Sequence, residues 1–86
     1  MHHKLSNADW DSIRTFLAVK RSQSFRGASQ ELGSASATIA RTIDRLEDML
    51  GFPLFTREAD GVKLTAEGRR LVQAAEDVEK SVLDLW

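Results

Sequence analysis

SASATIARTIDRLE, Ser34 to Glu47, is the stretch on which the reading of this chain turns. Apolar residues recur at helical spacing along one side, at Ile39, Ile43 and Leu46, and continue to Leu50. Thr38, Arg41, Thr42 and Arg45 lie on the other side, and the leading turn, Ser34 to Ala37, is built of small residues. A slim front with two arginines one turn apart suits a helix that enters a tight, negatively charged groove.

The flanking punctuation places this helix in a series. Asp9 is the expected cap of a first helix over about Trp10–Lys20, with Trp10, Ile13, Phe16 and Leu17 on one face. Ser22-Gln23-Ser24 breaks it, and Ser24 caps a short second helix carrying Phe25, Ala28 and Leu32. Gly33 stops that helix in the left-handed conformation glycine tolerates. The third helix, capped by Ser34 or Ser36, runs to about Leu50 and ends at Gly51. Short β-favourable runs on either side of Glu58-Ala59-Asp60-Gly61 predict a hairpin. Two helices joined by a short glycine-containing turn, then a hairpin, predict a mostly α winged helix-turn-helix. Phe25, Ile39, Ile43, Leu46, Leu50, Leu54 and Phe55 are its expected core.

Thr65 is the expected cap of a long fourth helix running toward Trp86. Leu71, Ala75, Val78, Val82 and Leu85 are spaced as a heptad seam, which Val72, Leu83 and Trp86 widen. So small a body offers little to bury all of this, and the seam reads as a dimer surface; packing within the chain is the alternative. Arg69 and Arg70 at the start and Asp84 at the end oppose the helix dipole. An antiparallel partner would set acidic and basic halves side by side, predicting a two-fold homodimer through this fourth helix. The expected organisation is a flexible tail over 1–8, a winged helix-turn-helix unit over 9–64 and a dimerisation helix over 65–86.

At 86 residues the chain is one small domain. It has no cysteine, which excludes disulfides and thiolate metal sites. His2 and His3 are adjacent in the expected tail and suggest no metal site. No apolar run approaches the ~20 residues of a membrane span, so the chain reads as soluble and cytoplasmic. The net charge of −1 conceals a pattern: +4 over residues 12–45, −3 over 46–60, +2 over 61–75 and −3 over 76–86. A partner meets the local field of the positive block rather than the sum.

In a helix-turn-helix the second helix of the motif enters the major groove N-terminus first. Ser34, Ser36 and Ala37 allow close approach, Thr38 offers a hydroxyl and a methyl, and Arg41 can reach guanine O6 and N7. Thr42 and Arg45 are placed for phosphates, as are Ser24 and Arg26 at the start of the second helix. Arg57 and Lys63 flank the wing and are expected to grip the backbone from there. Glu47-Asp48 and Glu76-Asp77 fall on wet helix faces, and no catalytic constellation or cofactor motif appears.

TFLAVKRSQSFRGASQELGSASATIARTIDRLEDMLGFPLFTREADGVKLTAEGRRL resembles the N-terminal DNA-binding domain of LysR-type transcriptional regulators. The resemblance rests on FLAV at Phe16–Val19, SF at Ser24-Phe25, LG at Leu32-Gly33, I-x-x-LE at Ile43–Glu47, LG-x-x-LF-x-R at Leu50–Arg57 and LT-x-x-G at Leu64–Gly68. It implies bacterial transcriptional control, dimerisation through the linker helix, an interrupted inverted repeat as target, and an effector-binding domain in a longer parent protein. The chain departs from the family's pattern at Ala35, Ser36, Ala37 and Ala40, at Gly27, and at Glu58 and Asp60 in the wing. A carboxylate wing tip repels phosphate. It keeps open a second reading, an interaction module that heterodimerises with a related regulator without reading DNA. A non-specific architectural binder fits less well, because such proteins rely on dense Lys and Arg.

Overall fold

The computed structural model describes residues 7–84 and sets out four helices and one hairpin: α1 (Asn7–Ser22), α2 (Phe25–Leu32), α3 (Ser36–Leu50), β1 (Phe55–Glu58), β2 (Gly61–Leu64) and α4 (Ala66–Leu83). This is the expected three-helix body, wing and long fourth helix. The tail expected over 1–8 is overlapped by α1, which begins at Asn7, and its remainder lies outside the described residues. Asp9 therefore stands inside the helix rather than capping it; Ala8 is a strong helix former and nothing there halts the helix.

The turns are made as their residues dictate. Gln23 takes φ 57° after α1, and its N–H donates to the Val19 carbonyl at 2.8 Å. The Ser24 hydroxyl caps α2 by accepting the Gly27 N–H at 2.8 Å. Gly33 closes α2 at φ 68° and Gly51 closes α3 at φ 85°. The start of α3 corrects the expected cap. The N-cap is Ala35, and no side chain hydrogen-bonds there. Ser34 is still engaged with α2, donating its N–H to the Ser29 carbonyl at 3.2 Å, so the extended residue entering α3 falls one position later.

Phe16, Leu17, Ala18 and Val19 of α1 lie at the centre of the core, with Ala28, Ile39, Ile43, Leu46, Leu54, Phe55 and Val62 around them. The Phe16 and Phe55 rings meet at 5.5 Å, which fastens the wing's root to the first helix. Phe25 and Leu50, expected in the core, are only half-buried at its edge.

The hairpin is antiparallel, with Phe55 opposite Leu64 and Glu58 opposite Gly61. Glu47 corrects the expectation of a wet face. It is half-buried, and its Oε2 accepts the backbone N–H of Leu54 at 2.7 Å and of Phe55 at 3.2 Å. At the other end of the hairpin the Val62 N–H donates to the Gln23 carbonyl at 2.9 Å. Gly61 permits that approach, since a Cβ there would come within 2.3 Å of the Gln23 oxygen.

The Thr65 hydroxyl caps α4 by accepting the Gly68 N–H at 2.9 Å. The first half of α4 packs on its own chain: Leu71 and Val72 are half-buried against the core, and Ala75 is 4% exposed. Ala75 is thus a core residue and is removed from the expected dimer surface; its small side chain lets α4 lie close to the body. Val78 and Val82 are half-buried, Leu83 is 59% exposed, and Leu85 and Trp86 lie outside the described residues. Lys20 faces Glu76 at 3.8 Å and Arg21 faces Glu79 at 3.6 Å, so part of the acidic half of α4 is matched within the chain.

Candidate nucleic-acid interface

Thr38, Arg41 and Arg45 share one exposed face of α3, opposite buried Ile39, Ile43 and Leu46, and Ser36 and Ala37 are exposed in its leading turn. The leading turn has neither bulk nor a side-chain cap, so its backbone can approach a surface closely. Arg41 lies 3.5 Å from the Thr38 hydroxyl, and Arg45 makes no ion pair among the described residues. Both cations are therefore open to a polyanion. Thr42 is less available than expected: half-buried, it donates its hydroxyl to the Thr38 carbonyl at 3.0 Å.

The residues expected at the start of α2 are split. Arg26 is exposed. The Ser24 hydroxyl spends its acceptor on the Gly27 N–H and retains a donor. Ser34 is half-buried between the two helices.

The wing cations are not free. Arg57 meets Asp44 of α3 at 2.7 Å and lies over the Phe25 ring at 4.9 Å. Lys63 faces Glu58 across the hairpin at 3.5 Å. Glu58, Ala59 and Asp60 at the tip are exposed. Sequence reasoning missed Asp44 as a partner of Arg57, because the two are 13 residues apart and meet only once the wing folds back on α3. The tight glycine contacts were hidden for the same reason. A Cβ on Gly68 would come within 2.2 Å of the Leu54 carbonyl, and one on Gly27 within 2.6 Å of the Ser22 Cβ.

Among the described residues Arg21 is the one whose ionisation is perturbed. Its hydrogen bond to Glu31, at 2.5 Å, raises its pKa above the usual guanidinium value; partial burial opposes this, and the charges of Glu31 and Glu79 add to it. It stays charged and ties α1 to α2 and α4. Among the described residues no group of three or more His, Cys, Asp or Glu could hold a metal ion, and no helix is long and apolar enough to cross a membrane.

The profile described as "Bacterial regulatory helix-turn-helix protein, lysR family" matches residues 10–69. The chain belongs to the LysR family. Among curated LysR-family relatives, the HTH-type transcriptional regulator BbuR of Bordetella bronchiseptica is 41% identical over 70 residues, which is 81% of this chain and 22% of the relative. The HTH-type transcriptional regulator HdfR of Yersinia pestis is 38% identical over 78 residues, 91% of this chain and 25% of the relative. This chain thus spans about a quarter of the length of the curated relatives it matches. Among solved structures, the BenM_DBD/catB site 1 DNA complex matches with a TM-score of 0.84 and 34% identity, over 88% of this chain and 85% of that one. The CbnR_DBD–DNA complex matches with a TM-score of 0.82 and 26% identity, over 85% and 84%. Full-length BenM, as its R156H mutant, matches with a TM-score of 0.83 over 25% of its chain. The mostly α winged helix-turn-helix read from the sequence is the fold these LysR domains share.

Proposed function

We propose that this chain is the DNA-binding part of a bacterial transcriptional regulator. The observation that carries the reading is the outward face of α3, where an uncapped turn of small residues leads to Thr38, Arg41 and Arg45. In this reading α3 lies in the major groove, with Arg41 on a guanine and Ser36, Ala37 and Thr38 close against base edges. Arg45, Arg26 and Ser24 face phosphates, and Thr42, Ser34 and Lys63 reach them on leaving their places within the chain. Likeness to LysR domains crystallised with DNA supports the assignment. Residues 9–64 form the reading head and residues 65–86 are the linker. The partners are double-stranded DNA, an effector domain in a longer parent, and a second copy joined antiparallel through Leu71, Val72, Val78, Val82, Leu85 and Trp86. The protein acts in the bacterial cytoplasm by binding rather than by catalysis and needs no cofactor.

Selection of duplexes from a random library, with Arg41→Ala beside the parent, tests this. An enriched two-fold repeat, blunted at one base pair by Arg41→Ala, is the expected result. No enrichment, with equal affinity for a scrambled duplex, would overturn sequence-specific reading. The intramolecular pairing of both wing cations favours the second reading, a heterodimerising module. Tight association with a related regulator without DNA affinity would establish that one instead.

A further inference from the structure

The Asp44–Arg57 pair stands where three groove-facing elements converge. Asp44 is on α3, Arg57 on β1, and Phe25, under the guanidinium, opens α2. Arg57 is the cation the wing would extend to a phosphate, and Asp44 already holds it at 2.7 Å.

The pair is not what positions the wing. Glu47 fixes one end of the hairpin through the Leu54 and Phe55 N–H groups, and Gln23 fixes the other through Val62. Both partners of the ion pair are 55% exposed, so the bond is weak in water and open to a competing anion. A carboxylate on this face of α3, beside Arg45, is also an unfavourable neighbour for a polyanion unless a cation matches it.

We propose that Asp44 is a positioning residue that acts through Arg57: it occupies the guanidinium in place of a phosphate and lowers the affinity for DNA backbone of any sequence. The proposal rests on the DNA-binding reading above. In the resting chain Arg57 is turned onto Phe25 and Asp44, and the wing contributes no phosphate contact from this residue. Without the carboxylate, Arg57 is free to swing to the backbone and adds one.

The test measures binding of a scrambled duplex by the parent chain, Asp44→Asn, Arg57→Gln and the double variant across a salt series, by fluorescence anisotropy. Asp48→Asn serves as a control for loss of an exposed acidic charge on the same helix. Asp44→Asn is expected to tighten binding by about three- to fivefold at low salt. It is also expected to steepen the slope of log K against log salt by about 0.9, the signature of one added phosphate contact. Both gains should vanish when Arg57 is Gln, and Arg57→Gln alone should change affinity less than twofold. Asp48→Asn should give a smaller gain that is the same with and without Arg57.

An equal gain from Asp44→Asn in both backgrounds overturns the proposal, as does a flatter salt slope on Arg57→Gln alone. Either result leaves DNA binding intact if the parent binds. Failure of the parent and of Asp44→Asn to bind any duplex overturns both readings together. Binding by Asp44→Asn alone, dependent on Arg57, supports the latch in its strongest form.

Discussion

The Glu47 carboxylate accepts the Leu54 backbone N–H at 2.7 Å, joining the end of α3 to the strand that begins the wing. The same oxygen takes the next N–H, that of Phe55, at 3.2 Å. One side chain thus satisfies two backbone donors in a segment that has no helix or strand partner for them. Hydrogen bonds to a charged group contribute ~1.5–3 kcal/mol, and a half-buried orphan N–H is costly. Glu47→Ala is expected to lower stability by about 2–3 kcal/mol in urea unfolding, whereas Asp48→Ala, exposed on the next position, should stay within ~0.5 kcal/mol. Equal effects at the two positions would remove Glu47 from this role.

Gly68 and Gly33 are expected to respond differently to alanine. A Cβ at Gly68 meets the Leu54 carbonyl at 2.2 Å, and backbone cannot yield as a side chain does. Gly68→Ala should destabilise by about 3 kcal/mol or more and loosen α4 from the wing. At Gly33 the space is open but φ is +68°, so Gly33→Ala carries only the left-handed penalty of about 1–2 kcal/mol. Thermal unfolding of the two variants provides the ranking.

Gly27 lies inside α2, where helix propensity alone favours alanine by ~1 kcal/mol. The structure reverses the sign, because the new methyl would press on the Ser22 Cβ at 2.6 Å and the Ser24 hydroxyl at 2.8 Å. Gly27→Ala should destabilise the parent and cost less on a Ser22→Gly background, where only the contact with the Ser24 hydroxyl remains. A double-mutant cycle in denaturant reads the coupling directly; additivity would show that the two positions do not clash.

The fourth helix should divide into two halves under substitution. Ala75→Glu places a carboxylate in the core and is expected to unfold the chain. Val82→Glu, further out on α4, should leave the circular dichroism of the monomer unchanged and weaken self-association in sedimentation. A stable, unassociated Ala75→Glu chain would place that residue at an interface instead.

Arg21 offers a test of pH with a definite sign. A cation whose folded pKa is raised stabilises the fold below its ordinary value, and that contribution disappears only as pH climbs through the raised one. Arg21 therefore contributes no pH dependence in the acid or neutral range. Because the pair is largely exposed, Arg21→Gln should cost less than ~1 kcal/mol, and the difference from the parent should shrink in high salt.

Helical periodicity placed α2 and α3, and the β-favourable runs around Asp60-Gly61 placed the hairpin, because Ser24, Gly33, Gly51 and Thr65 each do locally what their chemistry prescribes. The start of α1 and the cap of α3 were misread. At those points several serines, asparagines and aspartates compete, and the winner depends on where the preceding turn ends. The exposed face of α3 was legible because burial of Ile39, Ile43 and Leu46 leaves Thr38, Arg41 and Arg45 on the outside. The commitments of Glu47, Arg57 and Ala75 were not. Each depends on a partner distant in sequence: a backbone donor, a carboxylate on another helix, and the body of the chain itself.

The docking of α4 gives the molecule a lever arm. Leu71, Val72 and Ala75 seat its first half, while its far end runs on past Val82. The eight steps from Ala75 to Leu83 extend about 12 Å, so a tilt of ~10° at the seat moves the tip by ~2 Å. Lys20 and Arg21 hold Glu76 and Glu79 near the fulcrum, where small electrostatic changes are geared into the largest displacement. Whatever joins the tip of this helix takes its direction from the way α4 is seated on α1.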